Sequence, residues 1–275
     1  MSREHQVLSR LWKEFDLAPR SFALCEDKSL IGAPFFLMER KAGVVVRKKI
    51  PAIFGGGDDP ATNRKLSEMV IDTLVQFHGV KPDQADLGGL GRPVGFLERQ
   101  IHGWSQRWDA SKLDDIPLVD ELRQWLRDKL PTSDRTTLVH NDWRLDNMAV
   151  AADDPSRCVA VYDWDMCTQG DPLADLGTLL SVWYDEDEAP ASLNPMPTMA
   201  EGFITRRQAA ERYSSLMNID TGEVDYYIVF GSFKMAVVLQ QIFIRWHRGQ
   251  TQDERFAAMG EGAMSLFSLA ADRRP

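Results

Sequence analysis

Two short apolar stretches of this sequence each run into acidic and amide side chains. The first covers residues 138–147, with the sequence Leu-Val-His-Asn-Asp-Trp-Arg-Leu-Asp-Asn, and the second covers residues 159–165, with the sequence Val-Ala-Val-Tyr-Asp-Trp-Asp. The β-branched and apolar residues at the start of each stretch predict two short buried strands. We therefore expect the two strands to deliver their polar side chains to one place.

The residue types at the ends of these strands suit phosphoryl transfer from ATP, which requires an oriented acceptor hydroxyl and neutralised phosphate charge. The spacing His-x-Asp-x-x-x-x-Asn, formed by His140, Asp142 and Asn147, is that of a kinase catalytic loop. Asp142 is then placed to accept the proton of the acceptor. The oxygens of Asn147 and Asp163 are hard ligands that suit Mg²⁺. Arg144 is expected to face the γ-phosphate.

The bulk composition excludes several classes of protein. The chain has 275 residues, of which 44% are hydrophobic, enough for a sizeable core. Its net charge of −9 argues against a nucleic-acid-binding protein, which usually has a basic face. Three unpatterned cysteines predict a reducing compartment. No signal peptide is evident, and the mostly apolar run over 235–244 is too short to span a bilayer. These features predict a cytoplasmic protein without a nucleic-acid or membrane partner.

The predicted elements give a small strand-containing part followed by a large helical part. Strands are expected near 22–27, 34–40, 138–139, 148–150 and 159–161. Helices are expected near 3–15, 60–78, 94–109, 117–129, 172–183, 205–217, 223–247 and 253–270. Asp59 and Pro60 have the residue types that begin a helix, and Thr205 with Gln208 predicts a capping box. Residues 185–200 are interpreted as a loop.

Three segments together resemble one known family. They are residues 140–147, the Tyr-Asp-Trp-Asp of residues 162–165, and the Gly-Asp-Pro-Leu-Ala-Asp-Leu of residues 170–176. This combination is similar to the aminoglycoside phosphotransferase and choline-kinase-like family, and in particular to the kinase-like domain fused to some acyl-CoA dehydrogenases. The resemblance covers nearly the whole chain. It implies a protein-kinase-like α+β fold with a small N-terminal lobe and a large, mainly helical C-terminal lobe that carries a short β-hairpin set.

The resemblance also implies roles for individual residues. Asp142 would be the catalytic base, with Asn147 and Asp163 as the Mg²⁺ ligands. ATP would be the co-substrate, and its adenine would lie against the interlobe hinge. The hinge residues would be Met38, Glu39 and Arg40. Two further acidic residues, Asp171 and Asp175, would brace the loop and a helix.

Two departures from the family pattern stand out. The nucleotide-covering Gly-rich loop and the strand with a phosphate-binding Lys have no room before Arg3, so Glu4 lacks the Lys that it would pair with. Residues 1–41 are therefore expected to be the remnant of the N-terminal lobe with the hinge, and residues 42–275 the C-terminal catalytic and substrate-binding lobe. Asn141 stands where the family usually has Gly.

The shortened lobe leads to two expectations. Loss of a charge-assisted contact to phosphate, roughly 1.5–3 kcal/mol, predicts a poor or inactive kinase. An open sheet edge at residues 22–24 or 35–38 predicts pairing with another chain, as in a homodimer.

Several alternatives remain open at this stage. The chain could be a phosphotransferase acting on a small-molecule hydroxyl, a non-catalytic kinase-like binding module, or a Mg²⁺-dependent phosphate hydrolase that uses the same side chains. The acidic and amide groups could also form only a buried polar turn. Lys234, in an apolar helix, could point into the substrate cleft or reach the surface. The tryptophans at apolar helical spacing are expected in the core. Nothing in the sequence identifies the phosphate acceptor.

Overall fold

The computed structural model describes residues 1–185, 188 and 195–275. Its strands are β1 (Ser21–Cys25), β2 (Phe35–Met38), β3 (Thr137–Val139), β4 (Met148–Ala151), β5 (Asp154–Val161) and β6 (Thr168–Gly170). Its helices are α1 (Ser2–Leu11), α2 (Pro60–His78), α3 (Phe96–Ser111), α4 (Pro117–Asp128), α5 (Pro172–Ser181), α6 (Arg206–Met217), α7 (Val224–His247) and α8 (Met259–Asp272). Part of the predicted loop over residues 185–200 lies outside the described residues.

The strands form three two-stranded antiparallel sheets, β1 with β2, β3 with β6, and β4 with β5. In the first of these sheets Ser21 lies opposite Met38 and Cys25 lies opposite Phe35. Strand β6 was not predicted, because Thr-Gln-Gly at residues 168–170 has no apolar pattern. In the structure β3 pairs with β6, whereas β5 pairs with β4. The two strands that carry the polar stretches lie in different sheets.

The ends of the helices follow local signals in the sequence. Asp59 caps α2 and accepts hydrogen bonds from the amides of Ala61 and Thr62. Thr205 and Gln208 form the predicted capping box at the start of α6. Helix α5 begins after Asp171, whose carboxylate accepts from the amide of Leu173. These helices begin where the capping residues predict.

Helix α7 runs through the centre of the helical part and packs against α3, α5 and α8. Its approach to α5 is close because both helices have a glycine at the crossing. A Cβ on Gly177 would lie 2.3 Å from the Cβ of Tyr227, and a Cβ on Gly231 would lie 2.8 Å from the carbonyl oxygen of Gly177. By length and composition α7 could cross a membrane, but 72% of its most apolar window is buried inside the fold. The absence of a membrane partner stays a prediction.

The N-terminal part shares its core with the rest of the chain. Val7, Leu8 and Leu11 of α1 are fully or almost fully buried. The Phe15 ring lies 5.5 Å from the ring of Phe77 in α2. The predicted division of the chain at residue 41 stays a prediction.

Residue 44 links β2 to the β4–β5 sheet. Val44 forms an isolated bridge with Val150 in β4. The preceding Gly43 lets this segment lie flat on the sheet, because a Cβ there would meet the Val159 side chain at 2.5 Å. The chain just after the residues interpreted as the hinge is thereby tied to the β4–β5 sheet.

Candidate active site

The loop after β3 is held by a buried carboxylate from α5. The Asp175 carboxylate accepts from the amides of His140 and Asn141, each at 2.6 Å, and from Nε2 of His78 at 3.2 Å. Burial alone would raise the pKa of Asp175, but its hydrogen bond with His78 and the charges around it lower the pKa below the ordinary value. The bracing role that the resemblance implied for Asp175 agrees with these contacts.

Asn141 adopts a left-handed backbone conformation, with φ of 68°. Asn tolerates this region better than other residues with a side chain, which explains why it can stand where the family usually has Gly. Its side-chain amide donates to the carbonyl of Met166 at 3.1 Å. Its own carbonyl accepts a hydrogen bond from Nζ of Lys234. The turn before Asp142 is therefore tied to α5, α7 and the segment after β5.

His140 is fully buried and has a structural role in the loop. Its Nε2 donates to the carbonyl of Tyr162 at 2.9 Å, and its Nδ1 accepts from the amide of Asp142 at 3.2 Å. A ring with one donor and one acceptor nitrogen is neutral. Burial lowers the pKa of His140, which keeps it neutral in spite of nearby Asp175 and Asp142. The ring joins the two polar stretches and is occupied by these contacts.

Asp142 and Asn147 contact each other directly. Nδ2 of Asn147 donates to the carbonyl of Asp142 at 2.9 Å and to its Oδ2 at 3.0 Å. The Asn147 carbonyl accepts from the amide of Tyr162 at 2.8 Å, next to Asp163. This hydrogen bond continues the antiparallel register of β4 and β5, in which Met148 lies opposite Val161. The side chains of Asp142 and Asn147 thus lie together, and the backbone of Asn147 is bonded to the residue next to Asp163.

Asp163 follows β5 in a left-handed turn, with φ of 67°. It is exposed on one side, yet the partial burial of its carboxyl, followed by the charges of Asp165 and Asp142, raises its pKa to about 6. Glu4 at the start of α1 adds to this repulsion and accepts a hydrogen bond from the backbone of Trp164. Glu4 is therefore half-buried beside the site, and four carboxyl groups share one region.

The donor set of this region fits a hard divalent cation. Nδ2 of Asn147 contacts Asp142, which leaves the Oδ1 of Asn147 as the acceptor on its other side, and Asp163 is a carboxylate in a repulsive neighbourhood. Oxygen ligands of this type suit Mg²⁺, and a bound cation would relieve the repulsion. Among the described residues no group of three or more His, Cys, Asp or Glu side chains is arranged to hold a metal. The assignment of Asn147 and Asp163 as ligands stays a prediction.

Arg144 is almost completely buried and pairs with Asp146. Its Nε lies 2.9 Å from Oδ1 of Asp146, and its NH2 nitrogen lies 3.3 Å from Oδ2. This two-point pairing fixes the direction of the guanidinium. Whether it faces a phosphate stays a prediction, and Asp146 is a neighbour that the spacing alone did not reveal.

The residues interpreted as the hinge lie at the end of β2. Met38 and Arg40 are exposed, whereas the Glu39 carboxylate accepts from the amide of Arg20 at 3.2 Å and pairs with Lys41 at 3.0 Å. The hydrogen bond with Lys41 lowers the pKa of Glu39. The Tyr162 hydroxyl lies 3.5 Å from the carbonyl of Lys41, so this segment passes the residue next to Asp163. The adenine-binding role stays a prediction.

A cavity of about 350 Å³ adjoins the turn before Asp142. It is lined by residues from α1, α3 and the two polar stretches, including Arg3, Arg99, Trp104, Arg107, Asn141 and Asp165. The Arg107 guanidinium stacks on the Trp104 ring, 4.3 Å from its centroid. Arg3 donates to the carbonyl of Cys167 at 2.8 Å. The cavity therefore has more basic than acidic side chains.

Sequence reasoning missed one contact beneath the loop, that of Lys234 with Asn141. Lys234 is 4% exposed, so it does not reach the surface, and its contact with Asn141 could not be inferred from a lone Lys in an apolar helix. Burial lowers the pKa of Lys234, with Asp142 and Asp175 opposing that effect. Trp143 and Trp164, which lie within the two polar stretches, are fully buried. The Trp143 ring packs on His140 and the Trp164 ring packs on Phe77, so both rings belong to the core on which the loop rests.

Comparison with known proteins decides the family. The profile of the phosphotransferase enzyme family, APH, matches residues 1–211. The chain belongs to this family. This match agrees with the family resemblance of the three sequence segments.

The curated relatives of this chain are members of the acyl-CoA dehydrogenase family. Acyl-CoA dehydrogenase family member 10 from Mus musculus is 29% identical over 99% of the chain. The match covers only 25% of that protein, so the chain spans about a quarter of the length of this relative. Member 11 from Gallus gallus is 30% identical over 92% of the chain and 33% of its own length. The resemblance to these fused kinase-like domains is confirmed.

Solved structures confirm the protein-kinase-like α+β fold. A candidate aminoglycoside phosphotransferase from Ralstonia eutropha superposes with a TM-score of 0.82 at 28% identity. The alignment covers 98% of this chain and 83% of that one. The GDP complex of aminoglycoside 2'-phosphotransferase-IIIa gives a TM-score of 0.62 at 14% identity, over 99% of this chain and 83% of that one. The second likeness shows the fold alone.

Proposed function

We propose that this phosphotransferase family member moves the γ-phosphoryl group of ATP, with Mg²⁺, to a hydroxyl group of a small molecule. The observation that carries the proposal is the direct contact of Asn147 with Asp142 beside Asp163, whose pKa is raised to about 6. An amide that turns back on the proposed base, next to a crowded carboxylate, is the arrangement that a kinase site needs.

In this proposal each residue has a defined task. Asp142 orients the acceptor hydroxyl and takes its proton, while its Oδ2 stays held by Asn147. Asn147 and Asp163 would hold Mg²⁺, which when bound neutralises charge on the phosphate oxygens. Arg144, fixed in direction by Asp146, would add positive charge beside the γ-phosphate.

The adenine would lie against the segment that follows β2. In this proposal Met38 supplies apolar surface and the backbone of Glu39 and Arg40 supplies polar contacts. Supporting observations are the exposure of Met38, at 44%, and the passage of this segment beside Tyr162. The aminoglycoside phosphotransferase with bound GDP shares the fold, so the nucleotide-binding measurements should compare ATP with GTP.

The acceptor would enter the cavity beside the turn at Asn141. Three arginines and one aspartate line this cavity, so the charges of its lining favour a neutral or anionic acceptor over a polycation. Measured by ADP release, a polycationic aminoglycoside such as kanamycin should give no stimulation. Stimulation by kanamycin that exceeds that by polyols or by phosphate-bearing alcohols would contradict this part of the proposal.

The central test is the effect of Mg-ATP on thermal unfolding. At a nucleotide concentration of 100 times the Kd the stability should rise by about 2.7 kcal/mol. The Asp163→Asn variant should lose this gain, because an amide is a weaker ligand than a carboxylate. The matched control Asp165→Asn removes the same charge two residues away and should keep most of the gain.

Three outcomes would change the proposal. No shift with either Mg-ATP or Mg-GTP would contradict a nucleotide-dependent transferase and favour a non-catalytic binding module. Phosphate release from monoesters without any nucleotide would favour the hydrolase alternative. Equal loss of the shift in both variants would contradict the specific assignment of Asp163 as a ligand.

A further inference from the structure

Lys234 is a buried cation at the base of the candidate site. It lies in the middle of α7, is 4% exposed, and forms no salt bridge within the part of the chain that the structure describes. Its Nζ donates to the carbonyl of Asn141 and lies 5.8 Å from the centroid of the Trp104 ring. Burying an ammonium group without a carboxylate partner is unfavourable for stability. A role in the site would explain why an uncharged residue does not occupy this position.

The close crossing of α5 and α7 determines where Lys234 points. Gly231 lies one turn before Lys234 and packs against the backbone of Gly177 and Thr178 in α5. This contact brings the middle of α7 under the loop that follows β3. The same α5 helix carries Asp175, which binds the loop from the opposite side.

The contact of Lys234 fixes one particular peptide group. The carbonyl of Asn141 and the amide of Asp142 belong to the same planar unit. Lys234 holds the oxygen of this unit, and Nδ1 of His140 accepts from its N–H at 3.2 Å. The amide on the other side of Asn141 is held by Asp175. A peptide that is held at both its N–H and its oxygen cannot rotate without losing both bonds.

We propose that Lys234 is a positioning residue for phosphoryl transfer, because it fixes the peptide that sets the direction of the Asp142 side chain. The inference rests on the proposed function for its catalytic consequence. The clamp on the peptide is a property of the fold and can be tested separately. With Lys234 in place, Asp142 leaves the left-handed turn in one orientation, with its carboxylate against Asn147.

The variant that tests this inference is Lys234→Met, which keeps the length and apolar contacts of the side chain and removes the ammonium group. Backbone amide exchange over residues 138–145 should become at least roughly tenfold faster, because the peptide loses one of its two restraints. The kcat for ADP release from Mg-ATP should fall roughly 10-fold to 100-fold with KM for Mg-ATP within about twofold. Thermal stability should not fall, since a buried charge has been removed.

The matched control is Gln240→Met on the same helix. Gln240 is also buried, and its side chain donates to the carbonyl of Ser111 at 2.9 Å, away from the loop. This variant should lower stability without changing exchange over residues 138–145 or kcat. A second variant, Lys234→Gln, keeps a donor for the Asn141 carbonyl and should fall between wild type and Lys234→Met.

The outcomes separate the two proposals. Unchanged amide exchange in both Lys234 variants would overturn the inference whether or not the protein has activity. An active wild type with unchanged kcat in Lys234→Met would overturn the catalytic part of the inference and leave the proposed function standing. A wild type that releases no ADP would overturn the proposed function, while faster exchange in Lys234→Met would still support the clamp.

Discussion

At the scale of single residues, the site depends on two side chains that occupy left-handed turns. Asn141 and Asp163 both have positive φ, and both are residue types that tolerate this region. Each turn redirects the chain after a short strand, so that Asp142 and Asp163 leave their strands towards each other. The charge of Asp163 is then costly in the absence of a cation, as its raised pKa shows.

The raised pKa of Asp163 predicts a pH-dependent change in stability. Its value is about 6 in the folded chain against an ordinary 3.8, so the folded state holds a proton that the unfolded state loses first. Stability should therefore fall as the pH rises from about 4 to 6, and Asp163→Asn should remove this loss. After allowance for solvent screening, we expect the variant to be more stable by roughly 1 kcal/mol at pH 8 without Mg²⁺.

Thermal unfolding at pH 4 and pH 8 measures this effect. The wild type and Asp163→Asn should have similar midpoints at pH 4. At pH 8 the variant should have the higher midpoint without ligand, and the wild type should have the higher midpoint with Mg-ATP. Asn also tolerates the left-handed turn, so the backbone does not confound the comparison. A variant that is less stable than wild type at pH 8 without Mg²⁺ would contradict the cost that burial and the neighbouring carboxylates place on the Asp163 charge.

At the scale of elements, the site is placed by the packing of α5 and α7 beneath the loop after β3. Asp175 near the start of α5 and Lys234 in the middle of α7 hold opposite sides of the turn at Asn141. The positions of Asp175 and Lys234 relative to this turn depend on the two glycines at the helix crossing, since any side chain there would push the helices apart.

The substitution Gly177→Ala tests the importance of this crossing. Its Cβ would lie 2.3 Å from the Cβ of Tyr227 and 2.4 Å from the Tyr227 carbonyl carbon, so the helices must separate. We expect a loss of at least about 1–3 kcal/mol in unfolding free energy, as for other overpacked cores. The measurement is chemical denaturation at equilibrium.

Gly103→Ala in α3 is the matched control. No heavy atom lies within 4 Å of a Cβ built at Gly103, so the substitution should stabilise the protein by roughly 0.5–1 kcal/mol through helix propensity. A similar loss of stability in both variants would contradict the importance of the close packing of α5 on α7.

At the scale of the whole molecule, the small sheet of β1 and β2 is the most exposed apolar region of the strands. Phe22, Leu37 and Met38 are between 44% and 58% exposed, and two-stranded sheets leave backbone groups unpaired at their edges. This exposed surface is compatible with a homodimer through a sheet edge, which stays a prediction.

Sedimentation velocity over a range of protein concentrations tests this prediction. We expect self-association, and we expect Leu37→Lys to weaken it at least roughly tenfold, since a charged edge residue opposes pairing. The control Leu216→Lys changes a residue of similar exposure, 50%, on α6 and should leave association unchanged. A monomer at all concentrations would contradict the prediction.

Much of this molecule was predictable from the local sequence. The starts of α2, α5 and α6 follow from the capping residues Asp59, Asp171 and Thr205, because a cap acts within three residues of itself. The approach of Asp142 and Asn147 follows from their spacing within one short loop. The resemblance carried the family and the fold, which the comparisons confirm.

What the local sequence left undecided depends on contacts between distant residues. Strand β6 forms only because β3 offers it an edge, and its own residues carry no apolar pattern. The burial of Lys234 and its bond to Asn141 join residues 93 positions apart, through a helix crossing that two glycines permit.

The sequence by itself determined which side chains the candidate site contains, because the types and spacing of Asp142, Asn147 and Asp163 are local properties. The tertiary structure alone decided how the loop is held, because Asp175 and Lys234 reach it from separate helices. The physical reason is the range of the interactions. Caps, turns and spacing act over a few residues, whereas a buried charge finds its partner only after the helices have packed.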